Sequence, residues 1–169
     1  MRPRIALFLM LAPVLLCGAC SVKYSFTGAS ISPEVKTVSI APFPNIASLV
    51  NPTLAAAFTE ALKEKFVTQT SLSLQNFGGD LDFAGEITTY DVAPVAIQGN
   101  ETAALNRLTI AVHVKFVNLR DEKANFDKTF SAYEDYAATR PFSDAEGELV
   151  ATIQEKLVED IFNAAVANW

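Results

Sequence analysis

Two cysteines near the N-terminus are the residues whose type and spacing most clearly indicate chemistry. Cys17 and Cys20 are separated by Gly18 and Ala19, and the chain has no other cysteine. A Cys-x-x-Cys pair can act in thiol–disulfide exchange or bind a metal. Here the pair lies at the end of a hydrophobic segment, no second cysteine pair exists, and His113 is the only histidine in the chain. The sequence therefore favours a different role for Cys20, as the acceptor of a covalent modification.

The segment before Cys20 has the organisation of a secretory signal. Two arginines come first, mostly apolar residues follow over positions 5–16, and small residues precede Cys20. This order is typical of a signal peptide, and the apolar run is shorter than the ~20 residues that a membrane-spanning helix needs. A cysteine directly after small residues is typical of a bacterial lipobox, although Cys17 stands where lipoboxes usually carry leucine. We expect residues 1–19 to be removed and Cys20 to be acylated.

The remaining candidates for chemistry do not form a catalytic pattern. The sequence has no Gly-x-Ser-x-Gly elbow and no phosphate-binding P-loop. His113 lies in a predicted strand without an accompanying nucleophile motif, which is typical of a structural or surface histidine. Asp80 and Asp82 have no further ligands at the spacing of a calcium loop, so a turn explains them better. We predict a protein that is not an enzyme and that uses no metal, nucleotide or redox cofactor, with acyl chains on Cys20 instead.

Composition indicates a single acidic domain. Removal of residues 1–19 from the 169-residue chain leaves 150 residues, enough to bury a core without disulfides. This mature chain has eleven Lys and Arg against nineteen Asp and Glu, so its net charge is about −8. A nucleic-acid-binding protein usually has the opposite sign or a dense basic patch, and an acidic body does not favour polybasic adhesion to lipid. We expect no nucleic-acid partner and a membrane attachment made by the acyl chains.

The anchored segment is predicted to be short. Strand-like sequence begins at Tyr24, so residues 20–23 form a tether of roughly 14 Å at ~3.5 Å per extended residue. Ser21 and Val22 follow the cysteine, and no aspartate stands beside it. Such an aspartate retains many bacterial lipoproteins in the inner membrane, so its absence favours the outer membrane. The predicted single domain then covers residues 24–169.

Hydrophobic periodicity predicts strands, a helix, several antiparallel strands and a second helix. Helix starts are indicated by Asn51-Pro52 and by a capping box from Ser143 to Glu146, and Gly78-Gly79-Asp80 predicts a hairpin turn. The predicted strands cover residues 24–31, 35–40, 71–77, 81–97, 108–116 and 126–136, with Pro94 suggesting an edge or a bulge. The expected fold class is α+β, with two helices packed on one face of a mixed, mostly antiparallel sheet.

Two helices can cover only one face of such a sheet. The other face is predicted to be polar, with Asp82, Glu86, Thr88, Thr109, His113 and Lys115. A polar sheet face either contacts solvent or contacts the polar surface of another protein, and the sequence leaves both interpretations open.

Several stretches together carry a family resemblance. They are residues 24–31, 35–40, 51–54 and 78–81, the long run from Ile97 to Phe116, and the segment 157–163. In these stretches the mature chain resembles the LptE family, the lipopolysaccharide-assembly lipoproteins of the outer membrane. The resemblance implies two helices packed on a sheet of about four strands. It also implies a lipoprotein on the periplasmic face of that membrane, which plugs the large β-barrel of LptD and supports the insertion of lipopolysaccharide into the outer leaflet.

The resemblance also implies contacts to lipopolysaccharide and to the barrel. Family members contact lipopolysaccharide through basic residues on strands or loop tips, and Arg107 and Lys115 are the candidates here. The loop from Pro94 to Ala104 is the candidate for the tip that enters the barrel, with a solvent-exposed hairpin as the alternative. A different class of function also stays open at this point: a periplasm-facing lipoprotein domain that binds a small apolar ligand, or a pilotin for another envelope complex.

Overall fold

A computed structural model describes residues 31–49, 51–95 and 104–166. In chain order the elements are β1 (Thr37–Ile40), α1 (Leu54–Gln69), β2 (Ser73–Gln75), β3 (Leu81–Val95), β4 (Leu105–Asn118), a 3-10 turn (Glu122–Ala124), β5 (Phe126–Ala137) and α2 (Phe142–Val166). The predicted signal peptide, Cys20, the tether, all but the last residue of the predicted strand 24–31 and most of the loop between β3 and β4 lie outside the described residues. The division into signal, tether and domain therefore stays a prediction.

The described strands form one mixed sheet in the order β2-β1-β3-β4-β5. The short strand β1 lies between β2 and β3 and is parallel to both, whereas β3, β4 and β5 are successively antiparallel. The β1–α1–β2 unit explains the parallel part, because adjacent parallel strands need a crossover connection, commonly a helix. The predicted fold class, an α+β fold with two helices and a mixed, mostly antiparallel sheet, is confirmed; the described sheet has five strands, where about four were expected.

Both helices pack on the same face of the sheet through apolar stripes. In α1 the buried residues Leu54, Phe58, Leu62 and Phe66 recur every four positions, and in α2 Leu149, Ile153, Leu157 and Ile161 do the same. That spacing keeps side chains on one side of a helix. The ring of Phe66 lies 4.9 Å from that of Phe83 on β3 and 5.1 Å from that of Phe162 on α2. This aromatic cluster joins both helices to the sheet.

The prediction of a hairpin at Gly78-Gly79-Asp80 was wrong. β2 and β3 do not pair with each other but flank β1, so residues 76–80 cross over β1 from one neighbour to the other. A Cβ atom on Gly79 would lie 2.6 Å from the backbone N of Ser39 and 2.7 Å from the backbone C of Val38. Glycine is needed here because the crossover passes in direct contact with the backbone of β1.

The predicted capping box at the start of α2 was also wrong. The helix begins at Phe142, and the Ser143 hydroxyl contacts Asp144 instead of the backbone. The Glu146 carboxylate accepts hydrogen bonds from the Tyr90 hydroxyl (2.5 Å) and the Asn51 side-chain amide (2.9 Å). Glu146 therefore connects the sheet and the segment before α1 to α2, and is not available to cap its own helix.

The start of α1 is close to the predicted one. The Asn51 side-chain oxygen accepts from the backbone N–H groups of Thr53 (3.0 Å) and Leu54 (3.2 Å), and the helix begins at Leu54.

Further along the chain, the irregularity in β3 lies between Ile87 and Thr89. Among the described residues, Pro94 pairs only with β4, on a part of β3 that extends past β1. Its predicted edge position is confirmed and its predicted bulge is not.

Candidate functional site

The sheet face opposite the helices is the candidate interaction surface. Alternation along β4 sends Leu108, Ile110, Val112, Val114 and Phe116 into the core, and the residues between them to the other side. Cross-strand pairing places polar residues of β3 and β5 beside them. We name this the open face; its polar members include Asp82, Glu86, Asp91, Arg107, Thr109, His113, Lys115, Asp127, Thr129, Ser131, Tyr133 and Asp135. The predicted polar face is thus present, with Thr88 lying instead in the β3 irregularity.

Arg107 is held in place at one end of the open face. It lies opposite Asp135 on β5, and its Nε and Nη2 donate to the two carboxylate oxygens at 2.7 and 2.9 Å. The guanidinium also lies 3.7 Å from the centre of the Tyr133 ring. The hydrogen bonds from Arg107 hold the pKa of the Asp135 carboxyl below its ordinary value. A planar, two-pronged donor of this kind matches the geometry of both carboxylate and phosphate groups.

Lys115 lies on the same face but far from Arg107. The two are eight residues apart on β4, which separates them by roughly 27 Å at ~3.4 Å per residue. Lys115 is exposed, and within the described ranges its amino group has no ion-pair or hydrogen-bond partner. Its opposite neighbour on β5, Asp127, instead contacts His113 Nε2 at 2.6 Å. The structure therefore places both candidate cations on one face without bringing them into one site.

The other two predicted features lie mostly outside the described residues. Cys20 is one of them, and the loop between β3 and β4 is described only at its ends. The flanking strands remain paired up to Val95 and Leu105, so the loop begins and ends at adjacent strand positions. This end of the sheet is also where Arg107 lies. No helix in the described ranges is long and apolar enough to cross a membrane.

Asp80 organises the opposite end of the sheet, a role that the sequence did not indicate. One carboxylate oxygen accepts from the backbone N–H groups of Lys36 (2.9 Å) and Thr37 (3.1 Å) and from the Thr37 hydroxyl (2.9 Å). The other accepts from the Arg120 guanidinium at 2.8 and 3.0 Å. These donors, led by the Lys36 backbone, lower the pKa of Asp80 to about 2. The carboxylate thus ties the crossover to β1 and to the end of β4.

Two surface clefts are relevant to the alternative function, a domain that binds a small apolar ligand. A cleft of about 580 Å³ between β5 and α2 is lined largely by charged residues, including the ion pair of Lys156 with Glu134. A cleft of about 350 Å³ beside α1 is mostly apolar and is lined by Pro42, Phe43 and Pro44. Among the described residues, no group of three or more His, Cys, Asp or Glu side chains is arranged to hold a metal ion.

Comparisons with known proteins agree with the fold. The family model described as LptE, lipopolysaccharide-assembly, matches residues 35–165. A minor lipoprotein from Acinetobacter baumannii is 17% identical with a TM-score of 0.51, over 79% of this chain and 94% of its own. A putative neuraminyllactose-binding hemagglutinin homolog from Helicobacter pylori is 12% identical, also with a TM-score of 0.51, over 83% of this chain and 88% of its own. No curated protein sequence gives a significant match. At these identities the two structures support the fold alone. The family match covers most of the chain and therefore supports membership of the family.

Proposed function

This chain belongs to the LptE family, whose members act in lipopolysaccharide assembly, and we propose from that premise that it is the non-enzymatic plug of an LptD-like β-barrel. In this proposal Cys20 carries the acyl chains, which hold the protein on the periplasmic face of the outer membrane. The domain assists assembly of the barrel and supports lipopolysaccharide insertion into the outer leaflet.

The polar open face is the observation that supports the plug. A transmembrane barrel has an apolar outer surface and a polar interior, so a domain inside it needs a polar surface of its own. The open face offers carboxylates, hydroxyls and cations over three long strands, while the opposite sheet face is covered by the helices. We expect the open face to contact the barrel wall.

Arg107 and Lys115 remain the proposed contacts to lipopolysaccharide, in different ways. Lys115 is exposed and unpaired within the described ranges, so its ammonium can meet a lipid phosphate without losing another partner. Arg107 already donates to both oxygens of Asp135, so a phosphate has to replace that carboxylate or bind beside it. Because Arg107 lies at the end of the sheet where the β3–β4 loop begins, it is the cation nearer to the proposed barrel-entering tip.

Site-specific photo-cross-linking tests the proposed plug. A photoreactive phenylalanine analogue replaces Thr129, an exposed residue of the open face on β5, in cells that express the tagged full chain. The matched control carries the same analogue at Glu155, which is exposed on α2. We expect the residue 129 probe to form a cross-link to a large outer-membrane barrel, with a weaker one or none from residue 155. Cross-links from neither position, or equal cross-links to unrelated proteins, would refute the assignment of the open face.

A further inference from the structure

The outer side of β5 has no strand partner among the described residues. β5 stands last in the strand order and pairs with β4 alone, without a register shift, from Phe126 to Ala137. Such an edge presents unpaired backbone groups to other extended chains, and proteins usually protect it with proline, a bulge, charges or a covering element. β5 contains neither proline nor a bulge, and its central residues 129–133 carry no charge. Its outer edge therefore lacks most of these protections.

The cleft of about 580 Å³ between β5 and α2 lies along this edge. Its lining includes five consecutive residues of the strand, 131–135, together with Lys156, Glu159 and Asp160 of α2. Successive side chains of a strand point to opposite faces of its sheet, so a cleft lined by five in a row runs beside the edge and not over one face. At ~3.4 Å per residue it follows β5 for roughly 17 Å. The cleft thus offers space for a short added strand.

The cleft is acidic. Four carboxylates line it against the one ammonium of Lys156; they are those of Glu134, Asp135, Glu159 and Asp160. Three of the four contact a cation of the chain, in the pairs Glu134 with Lys156, Asp135 with Arg107, and Glu159 with Lys65. Asp160 is exposed and has no ion-pair partner within the described ranges. Its carboxylate is therefore open to a cation from another molecule.

These charges distinguish between two kinds of extended chain that could occupy the cleft. A second copy of this chain would bring its own β5, which carries three carboxylates and one lysine, on a mature chain with a net charge of about −8. Pairing of the two edges would then bring like charges together, which is destabilising. A segment with lysine or arginine at alternate positions would place opposite charge beside the acidic residues of α2. Charge complementarity therefore favours a cationic segment over a second copy.

We propose that the outer edge of β5 binds an extended, cationic segment of another protein by strand addition. The backbone of the segment pairs with residues 131–135, and every second side chain, a lysine or arginine, points toward Glu159 and Asp160. The backbone hydrogen bonds supply affinity, and the acidic cleft selects the partner. The inference goes beyond the plug, because it concerns the edge of the sheet and requires neither a barrel nor an acylated Cys20.

Fluorescence anisotropy with labelled peptides tests the site on the full-length protein in mild detergent. The probe is a short peptide that alternates lysine and threonine, and the control peptide has glutamate in place of lysine. We expect the lysine peptide to bind, more weakly at high salt, and the glutamate peptide not to bind. Asp160→Lys should weaken binding of the lysine peptide by roughly three- to tenfold. Glu155→Lys is the matched control with little effect, because Glu155 is exposed on the same helix but lines a different groove, toward α1.

Two N-methylated forms of the lysine peptide separate strand addition from attraction between charges alone. The N–H groups of successive residues in an extended peptide point to opposite edges, so methylation at every lysine blocks one edge and methylation at every threonine blocks the other. We expect one methylated peptide to bind like the parent and the other to lose binding. Binding by both or by neither would overturn strand addition.

The remaining outcomes decide the site and its occupant. An Asp160→Lys protein that binds the lysine peptide as tightly as the wild type would overturn the acidic cleft as the site. A protein that does not bind the lysine peptide would overturn the proposal. If that protein also sediments as a dimer, a second copy becomes the occupant of the edge.

Discussion

The crossover at Gly79 makes the clearest quantitative prediction for this fold. In Gly79→Ala the new Cβ meets the Ser39 N at 2.6 Å, the Val38 C at 2.7 Å and the Leu81 O at 2.8 Å. All three are backbone atoms of β1 and β3, which cannot rotate away as a flexible side chain can. The crossover must move away from β1 by most of an ångström. This weakens the hydrogen bonds that the Gly79 and Asp80 N–H groups donate to the Ser39 and Thr37 hydroxyls.

We expect Gly79→Ala to lower the free energy of unfolding by about 2–3 kcal/mol, the upper part of the range for overpacked sites. For a domain of this size that corresponds to a fall in melting temperature of about 4–12 °C. Gly147→Ala is the control, since Gly147 lies inside α2 and a Cβ there meets nothing within 4 Å. It should raise stability by up to about 1 kcal/mol, because alanine is the better helix former.

Urea and thermal unfolding of the two variants, followed by circular dichroism, measure both effects in the same protein. The opposite signs matter more than either magnitude, because both changes add the same methyl group to a glycine. A Gly79→Ala protein as stable as the wild type would refute the close passage of the crossover over β1. A Gly147→Ala protein as unstable as Gly79→Ala would show that the comparison does not isolate that contact.

Three further predictions concern single side chains. Because the folded protein lowers the pKa of Asp80, its carboxylate contributes stability that is fully present above the unfolded pKa of 3.8 and is lost as the pH falls toward about 2. The stability of Asp80→Asn should therefore depend less on pH over this acid range. An acid-unfolding profile with the same pH dependence as that of the wild type would contradict this role of Asp80. Tyr90→Phe should cost about 1.5–3 kcal/mol in urea unfolding, since it removes a hydrogen bond to the Glu146 carboxylate; a neutral effect would show that this bond does not stabilise the junction. Lys115→Ala should weaken lipopolysaccharide binding to the purified protein, with the exposed α2 residue Lys156 changed to alanine as the control; equal binding by the two variants would exclude Lys115 as a contact.

Elements with strong hydrophobic periodicity could be predicted from the sequence, because the spacing of neighbouring residues alone indicates which side of the element is buried. The alternation from Leu108 to Phe116 specifies which face of β4 is buried, and the four-residue recurrence in α1 specifies its packing stripe. Together with the order of the predicted strands and helices, such patterns give the α+β class and a polar second face. The family resemblance added the lipopolysaccharide-assembly role, which no spacing of residues indicates.

The connections depend on partners that lie far away in the sequence. Gly78-Gly79-Asp80 has the composition of a hairpin turn, and only the insertion of β1 between β2 and β3 makes it a crossover. Local turn chemistry is the same in both cases, so the sequence signal could not distinguish them. The decisive contact, from the Gly79 N–H to the Ser39 hydroxyl, spans forty positions.

Side-chain pairing across the fold was missed for the same reason. Glu146 fits a capping box in its own helix, yet its carboxylate contacts Asn51 and Tyr90, which are 95 and 56 positions away. Arg107 was predicted as a cation for lipopolysaccharide without its partner Asp135, because the register of β4 and β5 sets that pair. Which residues pair across two strands can be inferred only after the strand order is known.

The most direct test of the account is the recovery of a partner from the membrane. The tagged full-length protein is extracted from membranes in mild detergent, and both its co-purifying proteins and its N-terminal peptide are identified by mass spectrometry. We predict an LptD-like β-barrel in stoichiometric amount together with acyl chains on Cys20. Acylated Cys20 with no barrel partner would contradict the plug and would leave a lipoprotein that binds something else.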